Sequence, residues 1–240
     1  MQDRELQKKY FQSIFSKSNI LSKEEFESTA VNYEKEYGGY LPKEKDAAIL
    51  DIGCGAGHFL YFLEKKGYKN YFGIDISEEQ VDFCKQNISG SVELFDAYEF
   101  LKDKDGVYDL IVANDFLEHT SKEKVIEILQ LIHRSLKKSG KLIIKTPNMS
   151  NPFALDSRYK DFTHETGFTG KSLYQVLSVA GFSSIRIYPS SILFPSTLKG
   201  IISRLTLKIF RVGFKKIFAL QGYAVPEILS KNLIAVVIKE

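Results

Sequence analysis

With 240 residues, 33 basic against 30 acidic side chains and a formal net charge of +3, the chain is long enough to bury one full α/β core with additions. No run approaches the ~18 apolar residues of a membrane span, and residues 1–9 form no apolar signal core, so the expected location is the cytoplasm. The charge is unevenly spread: residues 166–226 hold no Asp or Glu, while Lys171, Arg186, Lys199, Arg204, Lys208, Arg211, Lys215 and Lys216 fall inside that stretch, which points either to an anionic partner or to a solvated face.

Residues 1–41 are charged and aromatic, with Tyr10, Ile14 and Phe26 loosely at helical spacing. They predict two helices divided near Asn19, lying as a cap over the ligand end of the core. Tyr33, Tyr37 and Tyr40 are candidates to touch a ligand or simply to pack, and Tyr33 is carried forward. The next stretch, residues 49–60, reads Ile-Leu-Asp-Ile-Gly-Cys-Gly-Ala-Gly-His-Phe-Leu: a buried strand, a tight loop and a helix start. Glycines at alternate positions allow positive φ and, having no Cβ, let a ligand lie against the main chain. The dinucleotide fingerprint G-x-G-x-x-G is a different loop. Here the third glycine comes one residue early, and Asp51 near the strand end would repel a phosphate but suit an ammonium group.

A second strand, residues 70–74, leads into Asp75-Ile76-Ser77, where Ser77 reads as an N-cap with Glu78 and Glu79 in the first helical turn. Residues 92–95 form a third strand before Asp96-Ala97, and residues 108–113 a fourth before Asn114-Asp115-Phe116-Leu117-Glu118-His119. A helix is expected to open with a capping box at Thr120-Ser121-Lys122-Glu123. It continues through Val125, Ile128, Leu129, Ile132 and Leu136 and stops at Gly140. Residues 141–146 are the fifth strand, residues 172–182 a further helix, and residues 185–188 and 233–238 the sixth and last strands. Strands alternating with helices imply a mostly parallel sheet covered on both faces, with ligands at the carboxyl ends of its strands. Cys54 and Cys84 have no metal-ligand spacing and are expected as unpaired thiols.

Asp51, the glycine loop and Asp75, followed by the later strand-end motifs, resemble the class I S-adenosylmethionine-dependent methyltransferases over roughly residues 47–182. The resemblance implies a Rossmann-like, doubly wound, mostly parallel seven-stranded sheet. It carries an N-terminal helical cap (1–41), a cofactor core with acceptor loop (42–190), a basic helical insertion (191–231) and a last strand (232–240). It further implies that Gly53, Cys54, Gly55, Gly57 and Phe59 pack on the amino-acid part of S-adenosylmethionine. Asp75 and Ile76 would hold its ribose, and Asp96 and Ala97 its adenine, unless Asp96 only caps a helix. Asn114, Asp115, Phe116 and His119 would pass beneath the methyl group.

The polar loop of residues 158–169, Arg-Tyr-Lys-Asp-Phe-Thr-His-Glu-Thr-Gly-Phe-Thr, is similar to a segment of methyltransferases encoded with glycan-assembly enzymes. The expected reaction is therefore O-methylation of a sugar. A sugar hydroxyl has a high pKa and benefits from a base. His164 is the first candidate, with Asp161 or Glu165 to orient it; the bland alternative is that His164 ties the loop down. His119 is the competing base, and His133 reads as structural. No metal is expected, because the usual two-carboxylate-plus-histidine spacing is missing, although an Asp-His cluster could still hold one. Between the last two strands, Arg204, Lys208, Arg211 and Lys215 share one helical side, with Ile202, Leu205, Ile209 and Val212 on the other. That helix reads as a lid on the sheet or as a contact with anionic lipid or a lipid-linked glycan at the inner membrane face. Methylation of a quinone-like lipid or an amine, and a silent binding module on the same fold, are the competing readings. Nucleic acid is not expected as substrate, since the Asn/Asp-Pro-Pro-aromatic segment is absent after the fourth strand.

Overall fold

The computed structural model describes residues 21–88, 91–191 and 197–240. The first expected N-terminal helix, with Tyr10 and Ile14, lies outside them. The second is α1, Lys23–Tyr37, opened by Ser22, whose Oγ accepts from the Glu25 amide at 3.2 Å. A 3-10 turn over Gly38–Tyr40 follows. The alternation begins with β1 Ile49–Ile52, α2 His58–Lys65, β2 Tyr71–Asp75, α3 Glu78–Asn87, β3 Val92–Leu94, α4 Ala97–Leu101 and β4 Tyr108–Asn114. It continues through α5 Val125–Ser135, β5 Leu136–Pro147, α6 Ala154–Tyr159, α7 Gly170–Val179, β6 Ser184–Pro189, α8 Leu198–Leu220 and β7 Asn232–Ile238.

All seven strands join one sheet in the order β3-β2-β1-β4-β5-β7-β6. The first five pair in parallel, and β7 runs antiparallel between β5 and β6. Strand order reverses at β1, where Ile49 sits between Tyr71 of β2 and Leu110 of β4. Such a switch point opens a crevice at the carboxyl ends of the strands. Every residue of β1 is buried, as expected of a central parallel strand covered on both faces.

On one face, Leu50, Ile52 and Ile111 pack with Ile128, Leu129 and Ile132 of α5. On the other, Ile49, Leu110 and Val112 pack with Phe59 and Phe62 of α2 and with Tyr33 and Tyr37 of α1. The N-terminal cap is thus part of the core. Tyr33 stacks on Tyr37 and meets the edge of Phe59, each at 5.3 Å between ring centres, and Glu25 holds His58 at 2.6 Å. Cys54 and Cys84 are buried and form no disulfide.

Four local expectations are corrected. Helix α5 starts at Val125 without a side-chain cap, and the Thr120 carbonyl instead accepts the Thr166 hydroxyl at 2.7 Å. The helix ends at Ser135 rather than at Gly140, because Leu136 is already extended. Gly140 lies inside β5, where a Cβ would come within 2.8 Å of the Lys137 carbonyl. Ser77 precedes α3 as expected, but its buried hydroxyl makes no cap bond.

The fourth correction concerns α8, which carries the expected basic residues but does not bury its apolar stripe. Gly200 is its buried residue, Leu207, Phe214 and Phe218 are half-buried, and Ile209 is 73% exposed. A lid packed on the sheet would hide that stripe. No helix among the described residues is long and apolar enough to cross a membrane.

Candidate active site

The crevice is a cavity of about 690 Å³, within the size range of small-molecule sites. The turn after β1 forms its floor. Gly53 and Gly55 hold φ of 69° and 55°, and the Gly53 and Cys54 amides donate to the Ile74 carbonyl at 2.8 and 3.0 Å, which fixes the loop to β2. A Cβ on Gly53 would meet the Phe116 ring at 3.1 Å, and one on Gly55 the Gln80 Oε1 at 2.7 Å. A side chain at Gly53 would press on the Phe116 ring, and at both positions the left-handed backbone disfavours one. Cys54 and Phe59 line the wall as expected. Gly57 does not: it caps α2 at φ 90°, and its missing Cβ makes room for Cys84 Sγ of α3 at 2.4 Å. Its expected cofactor contact is corrected to helix packing.

Four acids, Asp51, Asp75, Asp96 and Asp115, reach the cavity from strand ends. Asp51 is 2% exposed, and its Oδ1 has no hydrogen-bond partner. Burial, and then Asp75, push its carboxyl well above the usual range. A bare buried carboxylate oxygen beside open space calls for a cationic ligand group. Asp75 accepts from the Gly55 amide through Oδ2 at 2.9 Å and from the Ser77 amide through Oδ1 at 2.8 Å. Burial raises its pKa and these amides pull it back, and each oxygen keeps a lone pair for a hydroxyl donor. Asp96 serves as the cap of α4, with Oδ1 accepting from the Tyr98 amide at 2.9 Å, and it also lines the cavity with Ala97.

Ile76, Asn114, Asp115, Phe116 and Tyr33 stand on the wall as expected. Asn114 is fixed by the Tyr37 hydroxyl, which donates to its Oδ1 at 2.6 Å, and Asp115 sits at φ 49°, a region that Asp tolerates better than most residues. Gln80, Phe95 and Tyr98 also line the cavity and escaped the sequence reading. The aromatic residues could have been found as neighbours of the strand-end acid Asp96. Gln80, in the first turn of α3, gave no signal.

At the opposite end the wall is His119, Thr163 and Glu165, without His164 or Asp161. The loop is held by Arg158, which donates to the carbonyls of His164 and Glu165, and by the Glu165 and Thr166 amides, which donate to the Glu118 carbonyl at 2.8 and 3.0 Å. His164 is buried, with Nδ1 on the Ser157 carbonyl at 2.7 Å, and its ring meets His119 edge-on at 4.8 Å. The expectation that His164 takes an acceptor proton directly is corrected: His119 is the imidazole on the cavity wall. Nor does Asp161 orient His164 by a hydrogen bond, since Oδ2 and Nε2 are 3.8 Å apart. Its Oδ1 accepts from the Thr163 hydroxyl at 2.7 Å, and the Thr163 Oγ1 in turn contacts His119 Nδ1 at 2.8 Å.

Burial, and then His164, lower the His119 pKa to about 4. Burial raises Asp161, but the Thr163 hydroxyl and amide and the two histidines together hold it below its ordinary value. Glu118, buried beside Asp115, is held well above the carboxylate range.

S-adenosylmethionine fits these residues: Asp51 would take its ammonium group, Asp75 its ribose hydroxyls, and Asp96 with Phe95 its adenine. Fold and cavity together define a class, the S-adenosylmethionine-dependent methyltransferases. A family model described as a methyltransferase domain matches residues 32–186, and the chain belongs to that family. It is 26% identical over 128 residues to a phosphoethanolamine N-methyltransferase of Plasmodium falciparum, covering 52% of this chain and 48% of that protein. It is 33% identical over 102 residues to a ribosomal protein L11 methyltransferase of Lactobacillus johnsonii, covering 41% and 31%. The chain thus spans less than half the length of either relative. Among solved structures, a methyltransferase from Archaeoglobus fulgidus shares the fold with a TM-score of 0.67 at 24% identity, covering 89% of this chain and 94% of that one. Magnesium protoporphyrin IX methyltransferase from Synechocystis, solved with the cofactor bound, does so with a TM-score of 0.59 at 15% identity, covering 100% and 98%.

Proposed function

We propose that this methyltransferase acts on a hydroxyl of a sugar in a surface or exported glycan, presented on a lipid at an anionic membrane face. The observation that carries the hydroxyl reading is the chain Asp161, Thr163, His119 at the acceptor end of the cavity. Bound in the cavity, S-adenosylmethionine would supply an electrophilic methyl group, the carbon–sulfur bonding pair remaining on sulfur. A sugar hydroxyl must lose its proton as this happens, whereas a neutral amine needs no such help. His119 is held neutral, and His119 and Thr163 bring lone pairs to the wall where the acceptor would stand. The glycine loop, Asp51 and Asp75 would hold the donor in place, and such positioning supplies much of the rate when reacting atoms are brought to ~3–3.5 Å.

The exposed apolar and basic sides of α8 support a lipid-borne acceptor. An amine acceptor is the second reading, favoured by the similarity to a phosphoethanolamine N-methyltransferase. The test is transfer of an isotopically labelled methyl group to sugar nucleotides, lipid-linked glycans, quinone-like phenols and amines, with products identified by mass spectrometry. We expect a sugar methyl ether, with kcat lowered ~10²–10⁴ in His119→Ala and cofactor affinity little changed. Transfer to amines alone, at a rate that His119→Ala leaves intact, would replace the hydroxyl reading by the amine one.

A further inference from the structure

We propose that Glu118, His119 and His164 form a binding site for one divalent first-row cation, of the Zn²⁺ or Mn²⁺ kind, at the acceptor end of the cavity. One ligand atom from each of the three side chains lies within 4.8 Å of the others. The sequence hid this site because His164 arrives from the loop after β5, far along the chain from the Glu118-His119 pair.

The surrounding hydrogen bonds decide which ring nitrogens are offered. A carbonyl can only accept, so His164 Nδ1 donates to Ser157, and Nε2 is the lone-pair nitrogen. The Thr163 hydroxyl gives its one proton to Asp161 Oδ1 and therefore accepts from His119 Nδ1. In His119 too, Nε2 carries the lone pair. Metal-binding imidazoles are held in this manner, with the other ring N–H fixed by a carbonyl or by a hydroxyl-and-carboxylate relay.

Glu118 supplies the anionic ligand. It is 2% exposed, its Oε2 accepts from the Thr146 hydroxyl at 3.0 Å, and its Oε1 has no partner. A bare buried carboxylate oxygen is costly unless a cation or a donor meets it. Asp161 adds negative charge, with Oδ2 at 3.8 Å from His164 Nε2. Two imidazole nitrogens and one carboxylate oxygen suit zinc, manganese or iron(II) better than magnesium or calcium, which take mostly oxygen ligands. Since His119 lines the cavity, the remaining coordination positions open toward the acceptor, as in catalytic rather than structural sites. A cation there would occupy the His119 Nε2 lone pair, so in the loaded protein His119 would serve as a ligand rather than as the base: the cation would hold the acceptor oxygen and lower its pKa, the proton passing to water. This catalytic role rests on the hydroxyl reading above, whereas the binding of the cation does not.

The experiment is a titration of chelator-treated full-length protein with Co²⁺ as the spectroscopic probe. The expected result is one equivalent bound, with visible absorption bands that Zn²⁺ abolishes by displacement. Affinity should fall at least about tenfold in Glu118→Gln and in His164→Gln, with affinity for S-adenosylmethionine unchanged in both. The wild-type titration needs no variant to fold: less than ~0.2 equivalents bound and no visible bands would overturn the site. Binding that survives both substitutions would overturn it as well. Stoichiometric Co²⁺ with no sugar methylation by the loaded protein would leave the metal site standing and remove the hydroxyl reading. Full sugar methylation by protein that binds no Co²⁺ would do the reverse.

Discussion

Asp51 keeps one carboxylate oxygen bare in a buried position, and this gives cofactor binding a pH dependence whose sign can be worked out. Burial and Asp75 hold the empty site's carboxyl well above the usual range, while an ammonium group beside the ionised form would lower it again. Between those two values binding releases a proton, so affinity rises with pH through that window and falls as the solution is acidified. Calorimetry in buffers of different ionisation enthalpy should record the proton release, and Asp51→Asn should abolish it along with most of the affinity. An affinity flat from acid to neutral pH would mean that Asp51 is already ionised before the ligand arrives. Asp51, Asp75 and Asp96 were legible in the sequence because an apolar run fixes where a strand ends, and in a parallel sheet strand ends converge. The choice between His119 and His164 was not legible. It depends on how the loop after β5 folds back onto Glu118, through amides that any residue supplies.

Helix α2 shows how a glycine can matter to an element rather than to a ligand. Gly57 opens α2 at φ 90°, and a Cβ there would stand 2.4 Å from Cys84 Sγ and 3.4 Å from Ile88 Cγ2. Gly57→Ala carries both the left-handed strain and the overlap, about 2–3 kcal/mol together, and should lower Tm by roughly 5–10 °C in a chain of this size. Differential scanning calorimetry checks this, and a Tm within a degree of the wild type would show that α2 and α3 separate freely. The apolar spacing of α5 and α7 told where those helices lie, since Ile128, Leu129 and Ile132, like Leu173 and Leu177, are buried. Their ends were less legible. The stripe that marks α5 runs on to Leu136, which is equally buried at the start of β5, so periodicity alone extends the helix past the point where the backbone becomes extended.

At the scale of the molecule, the mostly parallel sheet and a site at the carboxyl ends of its strands followed from strand and helix alternation, but the setting of α8 did not, because an amphipathic pattern says nothing about what covers the apolar side. In the structure that side is open: Leu198, Leu205, Ile209 and Leu220 are all exposed. Arg204, Lys208, Arg211 and Lys215 run along its flank at i, i+4, i+7 and i+11, and no acid occurs between residues 166 and 226. Phe153, in the loop after β5, stacks on Phe210 of α8 at 5.7 Å between ring centres, so the helix is joined to the segment that leads to His164. An apolar stripe bordered by cations suits the boundary of an anionic bilayer, where each Lys or Arg contributes about 1 kcal/mol. The protein should therefore adsorb to vesicles containing phosphatidylglycerol and leave them as salt rises, since the Debye length shrinks from ~10 Å at 0.1 M to ~3 Å at 1 M. Arg204→Glu, Lys208→Glu, Arg211→Glu and Lys215→Glu together should abolish adsorption in co-sedimentation while affinity for S-adenosylmethionine stays as it was. Ile209→Asp should weaken adsorption even at low salt, because it removes apolar insertion without touching the basic side. Equal adsorption to neutral and anionic vesicles, or none to either, would separate α8 from the membrane and leave the glycan reading to stand on the acceptor end of the cavity alone.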